Sequence, residues 1–206
     1  KRRWTLTPMI INNQEPHKSD VALLGIPFDH SSGLTGAGDG PKFIKKMLGE
    51  QIEFYEPITG TSPGKNLSIS YTELKEIRNT SPELMVKKVM TRYCDIFGHI
   101  NRKKVSPFPV AIGGDHSISI GVLQAIAEIY KGNLPTILQI DAHFDLRDSD
   151  ADFRNQPIGR YAHCSVMRRA AEMGFSIITV GVRSFSAEEL IFAENAVCMH
   201  LSILVG

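Results

Sequence analysis

Val21-Ala22-Leu23-Leu24-Gly25-Ile26, closed by Pro27, is an unbroken apolar run. Strict alternation would mark a strand wet on one side, whereas a continuous run marks a parallel strand covered on both faces. A place at the sheet centre follows. The segment from Asp29 to Pro41 carries Gly33, Gly36, Gly38 and Gly40, too many flexible positions for a helix interior. Gly40-Pro41 suits a helix start, so a long loop is expected to feed a helix over residues 41–48.

The same strand-then-helix alternation continues outward from this run. Ser81 is placed to cap a helix with Pro82 in its first position, and Val86, Val89, Met90, Tyr93, Phe97 and Ile100 recur at helical spacing. Strands are expected at 108–112, 136–140 and 176–180, separated by helices at 117–130 and about 163–173. A last unit reads as helix over 187–194 and strand over 197–205. This alternation implies an α/β fold, a mainly parallel sheet with right-handed crossovers and helices on both faces. Residues 50–80 are poorly patterned and are expected to form a surface excursion. No repeat, low-complexity tract or linker interrupts the chain, so residues 1–206 are expected to form one domain.

Composition excludes several classes of function. Lys+Arg 23 against Asp+Glu 22 leaves a net charge of +1, and 42% of the 206 residues are hydrophobic, the balance of an ordinary globular protein. That charge gives no field to gather nucleic acid or an anionic membrane face, and the short clusters Lys1-Arg2-Arg3 and Arg102-Lys103-Lys104 read as solvated. No apolar run approaches the roughly 18 residues of a membrane span, and no signal-peptide h-region opens the chain. Cys94, Cys164 and Cys198 are widely spaced without a CxxC pair, which fits a reducing cytoplasm and argues against a cysteine-built zinc site. Residue 1 is Lys, so the chain is expected to begin inside a longer gene product.

In open α/β sheets ligands sit beyond the carboxyl ends of the strands. Three apolar runs end in polar residues there: Gly113-Gly114-Asp115-His116-Ser117, Asp141-Ala142-His143-Phe144-Asp145 and Gly181-Val182-Arg183-Ser184. In the second, an extended backbone would point Asp141, His143 and Asp145 the same way. Two carboxylates and an imidazole without thiolate suit Mn, Fe or Zn better than Ca. The same stretch also reads as an acidic strand end that happens to contain a histidine; His116, delivered by a neighbouring strand end, tips the balance toward metal. Gly113-Gly114 lets the chain turn so that His116 faces the crevice, and Asp115 and Ser117 are expected to orient it.

These motifs resemble the ureohydrolase family of arginase, agmatinase and their relatives. Gly113–Ser117 and Asp141–Asp145 look like two of its three metal signatures, in order and spacing. Gly25-Ile26-Pro27-Phe28-Asp29 with Gly36 and Gly40-Pro41 looks like its first strand and glycine loop. The stretch 163–169 leading to Gly181-Val182-Arg183-Ser184 is similar to the agmatinase branch. The resemblance covers about residues 20–200.

The resemblance implies a three-layer arginase-like fold and an enzyme that hydrolyses a guanidino compound with two Mn2+ ions. His116, Asp141 and Asp145 would hold one ion, and His143 with bridging Asp141 the other; His163 would relay protons or contact the substrate. Agmatine plus water giving putrescine and urea, a step of polyamine biosynthesis, is the leading reaction. The guanidinium carbon is a poor electrophile, so attack needs the hydroxide that two divalent ions generate from water near neutral pH. A homo-oligomer is implied, with no nucleic-acid or membrane partner. Arg147, Arg154 and Arg160 are read as solvent-facing, although an anionic substrate tail would give them a role.

One departure stands out. The family's third signature, Ser-x-Asp-x-Asp-x-x-Asp-Pro, is absent: residues 201–206 have Leu204 and Gly206 where aspartates would stand. The chain is therefore expected to stop one strand early on its C-terminal side. Besides an incomplete agmatinase-like chain, a non-catalytic member and a formimidoylglutamase- or guanidinobutyrase-type relative stay open.

Overall fold

The structure, a computed structural model, describes residues 15–31, 33, 35–50, 55–62, 67–98, 107–152, 155–196 and 198–201. The clusters Lys1-Arg2-Arg3 and Arg102-Lys103-Lys104, together with Ile100, Arg154 and residues 202–205, lie outside them.

Strand and helix alternate along the whole chain: β1 (Val21–Ile26), α1 (Gly40–Glu50), β2 (Ile69–Glu73), α2 (Pro82–Phe97), β3 (Phe108–Gly113), α3 (Ile118–Ile129), β4 (Ile137–Ile140), α4 (Val166–Glu172), β5 (Ile177–Val180), α5 (Ala187–Asn195) and β6 (Cys198–Leu201). Among the described residues these strands pair in parallel throughout. The strands hydrogen-bond in two groups of three, β2-β1-β3 and β4-β5-β6. β1 is the middle strand of its group, and its residues from Ala22 to Ile26 are buried, as an unbroken apolar run requires.

The expectation of a surface excursion over residues 50–80 fails at Ile69–Glu73. This segment is β2, registered against β1 from Val21↔Ile69 to Gly25↔Glu73. Ile69, Ser70, Tyr71 and Thr72 are strand-favouring or neutral, but Ser70 and Thr72 break the apolar run. As an edge strand, β2 needs only one paired side, so its apolar signal is short.

The helices form where capping chemistry is available. The Ser81 hydroxyl accepts from the Leu84 N–H at 3.3 Å and Pro82 takes the first position of α2. Its apolar stripe, including Met85, Val89, Tyr93 and Phe97, is buried. Each such side chain contributes about 1.5–3 kcal/mol of burial. α2 packs closely on α3: a Cβ at Gly121 would stand 2.7 Å from the Val86 carbonyl oxygen. The core then runs through Leu24, Ile26 and Phe28 to Ile120, Phe144 and Val166.

β4 inverts the usual order. Gln139 is buried, accepting from the Thr179 hydroxyl at 3.0 Å, while Leu138 and Ile140 on the other face are 62% and 80% exposed. Covered parallel strands do not leave such residues open. Among the described residues no helix is long and apolar enough to cross a membrane.

Candidate metal centre

Two strand ends build the site. β3 finishes against the turn after β1, where the Gly114 N–H donates to Ile26 O at 3.3 Å and the Asp115 N–H to Phe28 O at 2.8 Å. A Cβ at Gly114 would stand 1.7 Å from the Phe28 carbonyl oxygen, so the second glycine of the motif permits close approach of two backbones rather than a sharp turn alone. His116, two residues on, is thereby placed over the sheet's carboxyl edge.

β4 ends against β5: the Asp141 N–H donates to Val180 O at 3.0 Å, and the Ala142 carbonyl accepts from the Arg183 and Ser184 N–H groups. The expected alternation of Asp141, His143 and Asp145 along an extended backbone does not hold. Asp145 is left-handed, with φ 54°, among the described residues the single non-glycine at positive φ. That turn aims its carbonyl at the first N–H groups of α4, Met167 at 2.9 Å and Arg168 at 3.1 Å. It also carries the carboxylate to His116, whose Nδ1 lies 2.7 Å from Asp145 Oδ2. Helix capping and the hydrogen bond stabilise a conformation that costs an isolated aspartate on the order of 1 kcal/mol.

His116, Asp141 and Asp145 each offer one ligand atom within 4.8 Å of the others. His143 stands outside this group. Its side chain is 60% exposed and its Nδ1 lies 3.4 Å from Asp141 Oδ1, so Asp141 touches both histidine-bearing motifs. Burial alone would depress the His116 pKa; the hydrogen bond with Asp145 and the charges of Asp145, Asp141 and Asp115 outweigh it and hold the ring above the ordinary histidine value. A cation would relieve that concentration of acid. The donor set of the group is nitrogen and oxygen only; Cys164 lines the neighbouring cavity, and burial pushes its thiol up to about 11. These residues suit a borderline-hard divalent ion.

A cavity of about 220 Å³ opens beside the cluster, walled by His143, Asp145, Arg147, His163, Cys164 and Glu189 among others. His163 Nδ1 lies 2.6 Å from the Ser31 carbonyl oxygen. A carbonyl only accepts, so Nδ1 donates and Nε2 is the basic nitrogen of the neutral ring. The reading of Arg147 as solvent-facing is overturned. It lines the cavity, ion-paired to Asp152 through Nη1 and 3.7 Å from Glu189 through Nε. Arg160 stands apart, paired with Glu172. Asp115 and Ser117, which flank His116, are joined to each other: Asp115 accepts from the Ser117 N–H and hydroxyl, and from the Ser31 N–H.

Glu189 escaped the sequence reading. It is 4% exposed, completes a capping box with Ser186 at the start of α5, and accepts from the Leu146 N–H at 3.2 Å. Ser186-Ala187-Glu188-Glu189 carries the capping-box spacing, the signal that would have found it.

A parallel α/β fold with a nitrogen–carboxylate cluster and a cavity at its strand ends defines the class. The arginase family model matches residues 19–203, and the chain belongs to the arginase family. It is 31% identical over 171 residues to the N(1)-aminopropylagmatine ureohydrolase of Synechocystis sp., covering 82% of this chain and 52% of that protein. The agmatine ureohydrolase of Thermoplasma volcanium superposes with a TM-score of 0.70 at 24% identity, over 97% of this chain and 62% of that one. The Trypanosoma cruzi formiminoglutamase solved with Mn2+ gives 0.72 at 18% identity, over 94% and 63%. The chain thus spans about half the length of the curated relatives it matches.

Proposed function

We propose that this chain carries part of the site of a metal-dependent hydrolase that cleaves a C–N bond of a guanidino compound. The convergence of His116, Asp141 and Asp145 from two strand ends carries the reading. His116, Asp141 and Asp145 would hold one divalent ion, and His143 with Asp141 a second; Mn2+ is the ion that the resemblance and the Trypanosoma cruzi relative favour. Bound there, divalent ions supply Lewis acidity that makes water a nucleophile near neutral pH.

The chain's own groups do the rest. Glu189 lines the cavity that the guanidino group would enter, beside His143 and His163. Hydrolysis adds the water oxygen to the guanidinium carbon, breaks its bond to the alkyl nitrogen, and leaves urea and an amine. The departing nitrogen needs a proton. His163, held through Nδ1, delivers it from Nε2 when the ring is charged.

Agmatine is the leading substrate, giving putrescine. The resemblance to the agmatinase branch supports it. A second reading rests on Arg147 itself: its guanidinium lines the cavity and would meet a carboxylate tail, as in guanidinobutyrate, arginine or formimidoylglutamate. A single ureohydrolase-like domain, argued from the uninterrupted strand-helix alternation, a cytoplasmic location, argued from the cysteine usage, and homo-oligomeric assembly, implied by the resemblance, belong to the same proposal.

Urea release by the complete protein with added Mn2+, on agmatine, arginine and guanidinobutyrate, tests the reading. Activity that falls at least about a hundredfold in Asp145→Asn is expected. Urea production indifferent to that substitution and to His143→Ala sinks it.

A further inference from the structure

Asp115 precedes His116 in sequence, yet its buried carboxylate faces another way. Oδ2 accepts from the Ser31 N–H at 2.8 Å, and Oδ1 from the Ser117 N–H at 2.9 Å and the Ser117 hydroxyl. Ser31 is 0% exposed, and its own carbonyl accepts from His163 Nδ1 at 2.6 Å, across 132 residues of chain. Its hydroxyl is buried with no hydrogen-bond partner among the described residues. The backbone of Ser31 therefore makes both connections.

The surrounding loop needs such a fastening. Asp29 holds its far side by accepting from Gly36 and Gly38 N–H groups at 2.6 and 3.1 Å. Between these anchors lies Gly33, at φ 77°, a backbone conformation that glycine adopts freely. The bond from Ser31 to Asp115 fixes the residue whose carbonyl accepts from His163.

We infer that Asp115 and Ser31 are positioning residues for His163: a carboxylate at the end of β3 sets the loop after β1, and that loop sets the tautomer and direction of the imidazole. The assignment rests on the reading of His163 as the proton relay, but its geometry is testable without that reading. The nitrogen that donates decides which nitrogen stays basic, so loosening Ser31 spoils the relay while leaving the metal ligands in place.

Asp115→Asn in the complete protein is the test, with Ser31→Gly as a second variant that keeps both backbone groups and adds only freedom. Nitrogen-15 histidine NMR of the metal-free protein, with His163 assigned through His163→Gln, should show a hydrogen-bonded Nδ1–H that broadens or switches tautomer in both variants. In kinetics, kcat should fall about tenfold or more with bound Mn2+ unchanged, and Asp115→Asn should add nothing in the His163→Gln background. An unaltered His163 resonance in both variants overturns the inference. So does a kcat loss that excess Mn2+ restores, which would make Asp115 a support of His116. If His163→Gln leaves kcat intact the relay reading fails, and the NMR arm still decides the positioning. If Asp115→Asn does not fold, Ser31→Gly carries the test.

Discussion

Nδ1 of His116 lies 2.7 Å from Oδ2 of Asp145, although 29 residues separate them and each follows a different strand. The contact depends on Gly114 at one end and on the left-handed backbone of Asp145 at the other. An imidazole and a carboxylate held this way satisfy each other until a cation takes both.

Metal binding should stabilise the fold. With Mn2+ at about a hundred times its dissociation constant, mass action adds about 2.7 kcal/mol, which for a chain of this size raises Tm by roughly 5–10 °C. Thermal unfolding with Mn2+ and with a chelator reads this directly. Asp145→Asn should abolish most of the shift, and an equal shift in that variant contradicts the ligand assignment.

Arg147 should discriminate between substrate tails. If it meets a carboxylate, Arg147→Ala lowers kcat/KM for guanidinobutyrate or arginine by about tenfold or more and leaves agmatine little changed, the loss of one charge-assisted hydrogen bond of about 1.5–3 kcal/mol. Side-by-side kcat/KM values on the three substrates decide. A uniform loss on all three would mean that Arg147 serves the cavity wall through Asp152 and Glu189 instead.

Gly114→Ala should be among the most damaging single-methyl changes in the chain. The added carbon meets a backbone carbonyl at 1.7 Å, and neither strand end can withdraw without breaking the bonds from Gly114 and Asp115 to the turn after β1. A loss of about 3 kcal/mol or more is expected in urea unfolding. A loss below about 1 kcal/mol would show that the two turns slide apart freely.

Acid should unlock the glycine loop. The Gly36 N–H, and after it Gly38 with His30 and Arg78 nearby, holds the Asp29 carboxyl below the ordinary carboxylate range against the opposing effect of burial. A depressed folded pKa contributes stability that is present above the unfolded value of about 3.9 and disappears as pH falls through the folded one. Measured on metal-free protein, the gap in unfolding free energy between the native chain and Asp29→Asn should be widest above about pH 5 and narrow below about pH 4. A gap independent of pH would remove Asp29 from that role.

The residues of the candidate site were largely legible. His116, Asp141 and Asp145 come together as their motifs implied, because apolar runs ended by polar residues locate strand ends and a parallel sheet puts those ends on one edge. His143, expected to hold a second ion with Asp141, stands outside that group with its Nδ1 3.4 Å from Asp141 Oδ1. β2 was illegible because an edge strand carries little apolar signal. Arg147 and Glu189 face the cavity from elements whose direction depends on packing, not on spacing.

Local pattern alone therefore determined the α/β alternation, the covered central strand Val21–Ile26, the cap at Ser81 and the identity of the acids and imidazoles at the strand ends, because those depend on neighbours a few residues away. Tertiary structure decided which of them meet. The left-handed turn at Asp145 is held by N–H groups of α4, Ser31 joins Asp115 to a histidine 132 residues on, and Arg147 is turned inward by a glutamate of α5. Each is a contact between distant segments, and its free energy appears only when the chain is folded.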